Sequence, residues 1–256
     1  MKTFIISHGD KGGVGKSMMA NLIASMLYER GEKIGIIEAD AGGGTKGSGG
    51  TPDVAPRFRN RVAKTASQPL QQSGKEASAS IDRMMEMVEA WPVDYAVMNA
   101  PANASSVLGN PEVSETLAEA LEAMQIDLRV TYSWAPEAPN GVENAVYAVQ
   151  GAFFEAASHG VLIKNMVLGD DADYEEAIRG NKVLSEVPRV TIPKIPSDKA
   201  KVFDRFPEAN LYEMGKPDGP LSTMERIRIQ KFYRTSRDNL AAALGLTGVG
   251  DNDGKE

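Results

Sequence analysis

The stretch Ser7–Ala20, SHGDKGGVGKSMMA, constrains the fold more than any other part of the chain. Before it stands a short apolar run, TFIIS; after it, apolar residues fall at Met19, Leu22, Ile23, Met26 and Leu27. The first run alone suits either a strand or a buried piece of helix. Directly before a glycine loop, it reads as a strand. The second recurs at helical spacing from Ser17, and Gly31 ends it as a C′ glycine would.

The same alternation continues. KIGIIEAD, DYAVMNAP, IDLRVTYSW, VLIKNMVLG and VPRVTIP read as strands. GKEASASIDRMMEMVEAW, PEVSETLAEALEAM, GVENAVYAVQGAFFEAASHG and DYEEAIRG read as helices, with two more over 198–206 and 222–244. The strands are apolar on both faces, which predicts an α/β fold: a mainly parallel central sheet with helices on both sides. We expect a single domain over 1–245 and a polar, disordered tail over 246–256.

Composition narrows the chemistry. The 256 residues contain no cysteine, which excludes disulfides, cysteine zinc sites, iron–sulfur clusters and a thiol nucleophile. Two histidines make a His-rich metal site a poor expectation. No run of about 18 apolar residues occurs, so no membrane insertion is expected. The N-terminal apolar stretch is too short for a signal peptide, so the expected location is cytoplasmic. A net charge of -7 disfavours nucleic-acid binding by bulk charge and leaves room for a local basic face.

A strand, a glycine loop and then Gly-Lys-Ser opening a helix is the arrangement that holds phosphate. Glycines let the backbone turn its N–H groups inward without Cβ clashes, making an anion nest. The helix N-terminus adds partial positive charge. Candidate ligand contacts are therefore Gly12, Gly13, Val14, Gly15, Lys16, Ser17 and Met18. Lys16 would reach the β- and γ-phosphates, and the Ser17 hydroxyl would ligate Mg2+.

The usual pattern has a glycine where this chain has Asp10, and adds nothing like the Lys11–Ser17 run KGGVGKS. That run resembles the deviant phosphate loop of the ParA/MinD family of ATPases. The resemblance implies a P-loop NTPase fold, ATP and ADP as ligands with Mg2+, and slow ATP hydrolysis. It also implies an ATP-dependent homodimer in which Lys11 reaches the partner's nucleotide. IIEAD resembles the family's second strand, which makes Asp40 the residue that positions attacking water near Mg2+ and Glu38 an acid of less defined role. DYAVMNAPAN resembles the motif in which a strand ends in Asp-x-Pro, but Asn99 stands at the aspartate position. Asn99 can hydrogen-bond a metal-bound water without supplying charge, which points to slower hydrolysis or weaker Mg2+ binding. Asn165, Pro196, Ser197 and Asp198 match positions that surround the adenine in that family. TPDVAPRF resembles members encoded with plasmid mobilisation and conjugal transfer genes, the TraL/MobD type.

Two further segments bear on function. AGGGTKGSGGTP reads as a flexible linker by composition and, following Asp40, as a nucleotide-sensitive switch by position. RFRNRVAK carries Arg57, Arg59, Arg61 and Lys64, while MERIRIQKFYRTSRDN carries Arg226, Arg228, Lys231, Arg234 and Arg237. ParA-like proteins bind DNA without sequence preference through a basic face, so non-specific DNA is an expected partner, alongside a plasmid-encoded protein. A solvated helix face is the plainer reading of the same charges. The alternatives are a nucleotide-binding scaffold with little hydrolysis and a MinD-like positioning ATPase. The acidic, glycine-rich C-terminus disfavours a membrane-surface helix. A ligase of the dethiobiotin synthetase kind has no use for a Lys11-type residue.

Overall fold

The computed structural model describes residues 1–39, 53–70, 75–102, 104–195 and 202–246. Seven strands form one sheet: β1 (Lys2–His8), β2 (Ile34–Glu38), β3 (Lys64–Ser67), β4 (Tyr95–Asn99), β5 (Ile126–Trp134), β6 (His159–Asn165) and β7 (Arg189–Ile192). Their order is β3-β2-β4-β1-β5-β6-β7, and every neighbouring pair is parallel. The expected α/β architecture is the one observed. β1 lies at the centre, and successive connections leave it in opposite directions. The loop after β1 therefore opens at the crevice where the strand order reverses, the usual ligand position of such sheets.

The helices are α1 (Lys16–Glu29), α2 (Lys75–Ala90), α3 (Ala104–Leu108), α4 (Pro111–Ala123), α5 (Gly141–Val149), α6 (Ala152–Glu155), α7 (Asp171–Arg179), α8 (Lys182–Glu186), α9 (Leu211–Gly215) and α10 (Thr223–Ala243). Alternation along the strands divides the core into two layers. Phe4, Ile6, Met98, Val130 and Leu162 face one side, where α2 and α4 to α8 contribute Met84, Leu117, Phe153 and Tyr174. Ile5, Val97, Ile36 and Ile163 face the other, against Met19, Leu22, Ile23 and Met26 of α1 and Phe232 of α10. Each fully buried aliphatic or aromatic side chain contributes about 1.5–3 kcal/mol.

Local signals explain the helix ends. Gly31 takes φ 75 after α1, as a C′ glycine does. Asn110 caps α4 through the Glu112 N–H, with Pro111 opening the helix. Asp170 with Asp173, and Ser222 with Glu225, form capping boxes on α7 and α10. α1 buries more than its apolar stripe: Asn21 and Ser25 are also inside, because α9 covers its back. Ser25 Oγ donates to Asn21 Oδ1 at 3.1 Å and accepts from the Leu211 N–H at 3.2 Å.

Several elements depart from the sequence reading. The helix expected over 141–160 breaks at Gln150 and Gly151. Gly151 is extended there and starts α6, and a Cβ on it would lie 3.2 Å from the Ala148 carbonyl oxygen. The break allows the adjacent Phe153 and Phe154 both to be buried. β3 was not expected, since KTAS has no apolar pattern; it is an exposed edge strand held by backbone pairing to β2. The short helices α3, α8 and α9 were also missed. Of the helix expected over 198–206, residues 202–205 are helical. The glycine-rich stretch after Asp40 and residues 247–256 lie outside the described residues, while Leu246, expected to begin the disordered tail, is buried and its N–H donates to the Ala241 carbonyl. Among the described residues no helix is long and apolar enough to cross a membrane.

Gly35 marks a tight contact between β2 and Trp91. A Cβ on it would lie 2.3 Å from the Trp91 ring. Gly35→Ala is expected to lower the free energy of unfolding by about 1–3 kcal/mol, through overpacking. Urea denaturation measures it, and an unchanged midpoint would show that the indole swings aside at no cost.

Candidate functional site

The loop between β1 and α1 has the backbone that an anion nest needs. Gly13 and Gly15 adopt φ 81 and φ 105, which side-chain-bearing residues rarely take. A Cβ on Gly15 would also meet Asn165 Nδ2 at 2.6 Å. Gly15 caps α1 without a side-chain hydrogen bond, and no acid occupies the first turn. The first N–H groups of a 14-residue helix therefore point toward the loop with their partial positive charge unmasked. Lys16 is only 5% exposed, and its ammonium donates to the Lys11 carbonyl at 3.0 Å, bridging the loop. Lys11 itself is exposed at the loop's head.

Three strands hold the loop in place. Ser7 Oγ donates to the Lys16 carbonyl at 2.9 Å. Gly9 passes so close to β5 that a Cβ there would be 2.2 Å from the Ser133 carbonyl oxygen. Asn165 Nδ2 donates to the Val14 carbonyl at 3.3 Å, while its Oδ1 accepts from the Val167 N–H at 3.1 Å. Asp10 does structural work too. It accepts from Tyr132 Oη at 2.8 Å and from the Ser105 N–H at 3.2 Å. The carboxylate that replaces the usual glycine thus ties the loop's head to β5 and α3. Burial first, and Asp10 second, push the Tyr132 hydroxyl's pKa upward, so it stays a donor.

Ser7, Asn99 and Glu38 are neighbours in register across β1, β4 and β2 at the sheet's edge beneath the loop. Glu38 is 1% exposed. Its Oε1 accepts from Asn99 Nδ2, and its Oε2 accepts from the N–H groups of Asp53, Val54 and Ala55 at 3.1, 2.9 and 3.3 Å. Burial raises its pKa, and these hydrogen bonds, that of Val54 first, pull it back. Asn99 Nδ2 also lies 3.4 Å from Ser17 Oγ, while Asn99 Oδ1 is buried with no hydrogen-bond partner. The Ser17 hydroxyl, at the start of α1 and close to the Asn99 amide, suits Mg2+, which takes one or two protein oxygens and keeps several waters. The residues present therefore fit that ion.

An apolar pocket of about 280 Å³ opens behind the loop, lined by Gly15, Met18, Asn165, Ile192, Phe203 and Phe232. Its position and aromatic walls suit a flat heterocycle attached to whatever the loop holds. Asn165 lines it, as expected, though much of its amide is committed to holding the loop. A larger groove of about 560 Å³ lies elsewhere, between Arg61 and residues 205–220. Its cations are engaged: Arg61 with Glu213 at 2.8 Å, Arg205 with Glu225 at 2.7 Å, and Lys216 over the Tyr212 ring.

Asp40, Pro196, Ser197 and Asp198 lie outside the described residues. The basic segments divide. Arg57 is buried and bonded to the Asp53, Phe206 and Ala209 carbonyls. Arg226 donates to the Pro217 carbonyl, and Arg237 pairs with Glu29 and Asp238. Arg228, Lys231 and Arg234 are exposed along α10. Phe203, Phe232, Tyr132 and Ser7 were not singled out from the sequence. Their roles depend on partners from 9 to more than 100 positions away, and no local pattern signals that.

No family model matches the sequence, and no curated protein matches it. Solved structures do match. The ParA family ATPase of Chlorobium tepidum TLS has a TM-score of 0.50 and 14% identity, covering 90% of this chain and 97% of that one. The cell division ATPase MinD of Pyrococcus furiosus has a TM-score of 0.50 and 14% identity, covering 92% and 98%. At such identity the likeness is one of fold, and the fold is that of P-loop NTPases.

His8, at the end of β1, is fully buried against Tyr132 and Phe153. Burial, and then the Lys16 charge, lower its pKa from 6.5 to about 3. The unfolded chain binds a proton between those values that the native chain does not. The contribution of neutral His8 is complete above pH 6.5 and is lost as the pH falls toward 3, at about 1.4 kcal/mol per pH unit. Between pH 6.5 and 4.5, wild type should lose about 2–3 kcal/mol more unfolding free energy than His8→Gln. Carboxylate titration is common to both proteins, so parallel profiles in urea would contradict a neutral, buried His8.

Proposed function

We propose that this chain is a nucleotide-dependent switch: it binds ATP and ADP with Mg2+, hydrolyses ATP slowly, and pairs with a second copy in the ATP state. One observation carries the reading. The positive-φ loop, the uncapped start of α1 and Lys16 form an anion nest beside an apolar pocket of heterocycle size. A triphosphate joined to a purine matches both halves at once.

The residues divide the work. Loop N–H groups and Lys16 neutralise phosphate oxygens. Ser17 Oγ would hold Mg2+, with the Asn99 amide beside it, and the ion supplies charge neutralisation between the phosphates. By resemblance, Asp40 orients the attacking water. Lys11 is exposed at the head of the loop, and by resemblance it would serve a partner's nucleotide. Hydrolysis would remove the γ-phosphate that Lys11 contacts and so weaken the dimer. Plasmid partition or DNA transfer is the process we favour. Non-specific DNA could be held by the exposed Arg228, Lys231 and Arg234, and a plasmid-encoded protein would be the further partner. A scaffold that barely hydrolyses ATP is the second reading, favoured by the uncharged Asn99.

Mass in solution, with ADP and with a non-hydrolysable ATP analogue plus Mg2+, tests the switch. Wild type should dimerise only with the analogue. Lys11→Ala should retain ADP binding and stay monomeric, and a dimer that survives this change would defeat the cross-subunit role. Lys16→Ala should weaken nucleotide binding at least about tenfold, through loss of a charged hydrogen-bond donor. A wild-type chain that binds no nucleotide would defeat the whole reading.

A further inference from the structure

Strand β4 ends in Asn99, so the strand beside the loop brings no carboxylate to the metal side of the site. A carboxylate is present one strand over. Glu38 is the register partner of Asn99 on β2, is buried, and accepts a hydrogen bond from the Asn99 amide. A carboxylate only accepts, so it can face only the NH2 end of that amide. Glu38 thereby determines which way Asn99 points: Nδ2 toward Glu38 and Ser17, with Oδ1 left to accept from elsewhere. The other carboxylate oxygen is held by three backbone N–H groups of residues 53–55, so Glu38 cannot swing away. An aspartate at 99 would set two buried carboxylates side by side, an arrangement that like charges oppose. Asn99 and Glu38 therefore belong together: one negative charge, moved from β4 to β2.

Resting on the nucleotide reading of the loop, we propose that Glu38 is a positioning residue of the phosphate site. Through the Asn99 amide it holds the NH2 group toward the Ser17 hydroxyl and supplies the negative charge that β4 lacks, so it sets how much Mg2+ strengthens nucleotide binding. The three N–H groups on its other oxygen make the same carboxylate the anchor of the chain that follows the glycine-rich stretch. A purely structural Glu38 would anchor that chain and leave the metal dependence alone.

The experiment measures the affinity of a fluorescent ADP in Mg2+ and in EDTA, and takes the ratio of the two. Glu38→Gln should cut the ratio about tenfold, the scale of lost groups that orient metal ligands. Glu38→Gln/Asn99→Asp returns the charge to β4 and should recover most of the ratio without recovering the anchor. An unchanged ratio in Glu38→Gln, or no recovery in the double variant, overturns the proposal. If Glu38→Gln does not fold, Asn99→Asp alone carries the test. Its melting temperature should fall in EDTA and be restored by Mg2+ with ADP, and a loss that Mg2+ does not restore overturns the proposal. A wild type that binds no fluorescent ADP in either condition defeats the nucleotide reading, and the proposal with it. Normal binding with a ratio indifferent to Glu38 defeats the proposal alone.

Discussion

The turn at Gly9 to Gly15 depends on how closely β1 lies between its neighbours. β5 puts the Ser133 carbonyl where Gly9 has room for no side chain, and β6 puts Asn165 against Gly15 and Val14. Those two contacts from one side, with Ser7 bonding to the Lys16 carbonyl from below, leave the loop one path. Positive φ at Gly13 and Gly15 follows from that path. So does the aim of the first N–H groups of α1. An anion nest assembled by loop entropy alone would be soft; here the sheet holds its shape in advance, which is where electrostatic stabilisation gains its strength.

The same packing explains why polar groups so near the sheet's centre are tolerated. Glu38, Asn99, Asp10 and His8 sit at strand ends, where backbone N–H groups and neighbouring side chains can reach them. Glu38 accepts from Asn99 and from three backbone N–H groups, Asp10 accepts from Tyr132 and Ser105, and His8 stays neutral among aromatic rings. Asn99 Oδ1 and His8 Nε2 are buried without a hydrogen-bond partner, while Asn99 Nδ2 lies 3.4 Å from Ser17 Oγ.

Much of this was legible in the chain order. The glycine loop between an apolar run and a helical stripe located the site, and the strand–helix alternation predicted the parallel sheet. The C′ glycine Gly31 matches the end observed for α1. What was not legible was of two kinds. β3 and the short helices are held by tertiary contacts rather than by their own periodicity. Besides Asp53 and Asp238 nearby, Arg57 and Arg237, which look like members of basic runs, have distant partners in the Phe206 and Ala209 carbonyls and Glu29. Nothing near them in sequence indicates that.

The sequence by itself determined the loop's chemistry, because glycine, lysine and serine act through local backbone geometry and through groups within a few residues. It also determined the two-sided burial of the strands, because period-two alternation was absent. Only the tertiary structure decided which strand lies at the centre, which carboxylate faces Asn99, and which aromatic residues wall the pocket behind Met18. Those facts depend on strand order and on contacts such as Asn99 with Glu38, 61 positions apart. A crossover connection can place such residues side by side or a sheet's width apart with no change in local pattern.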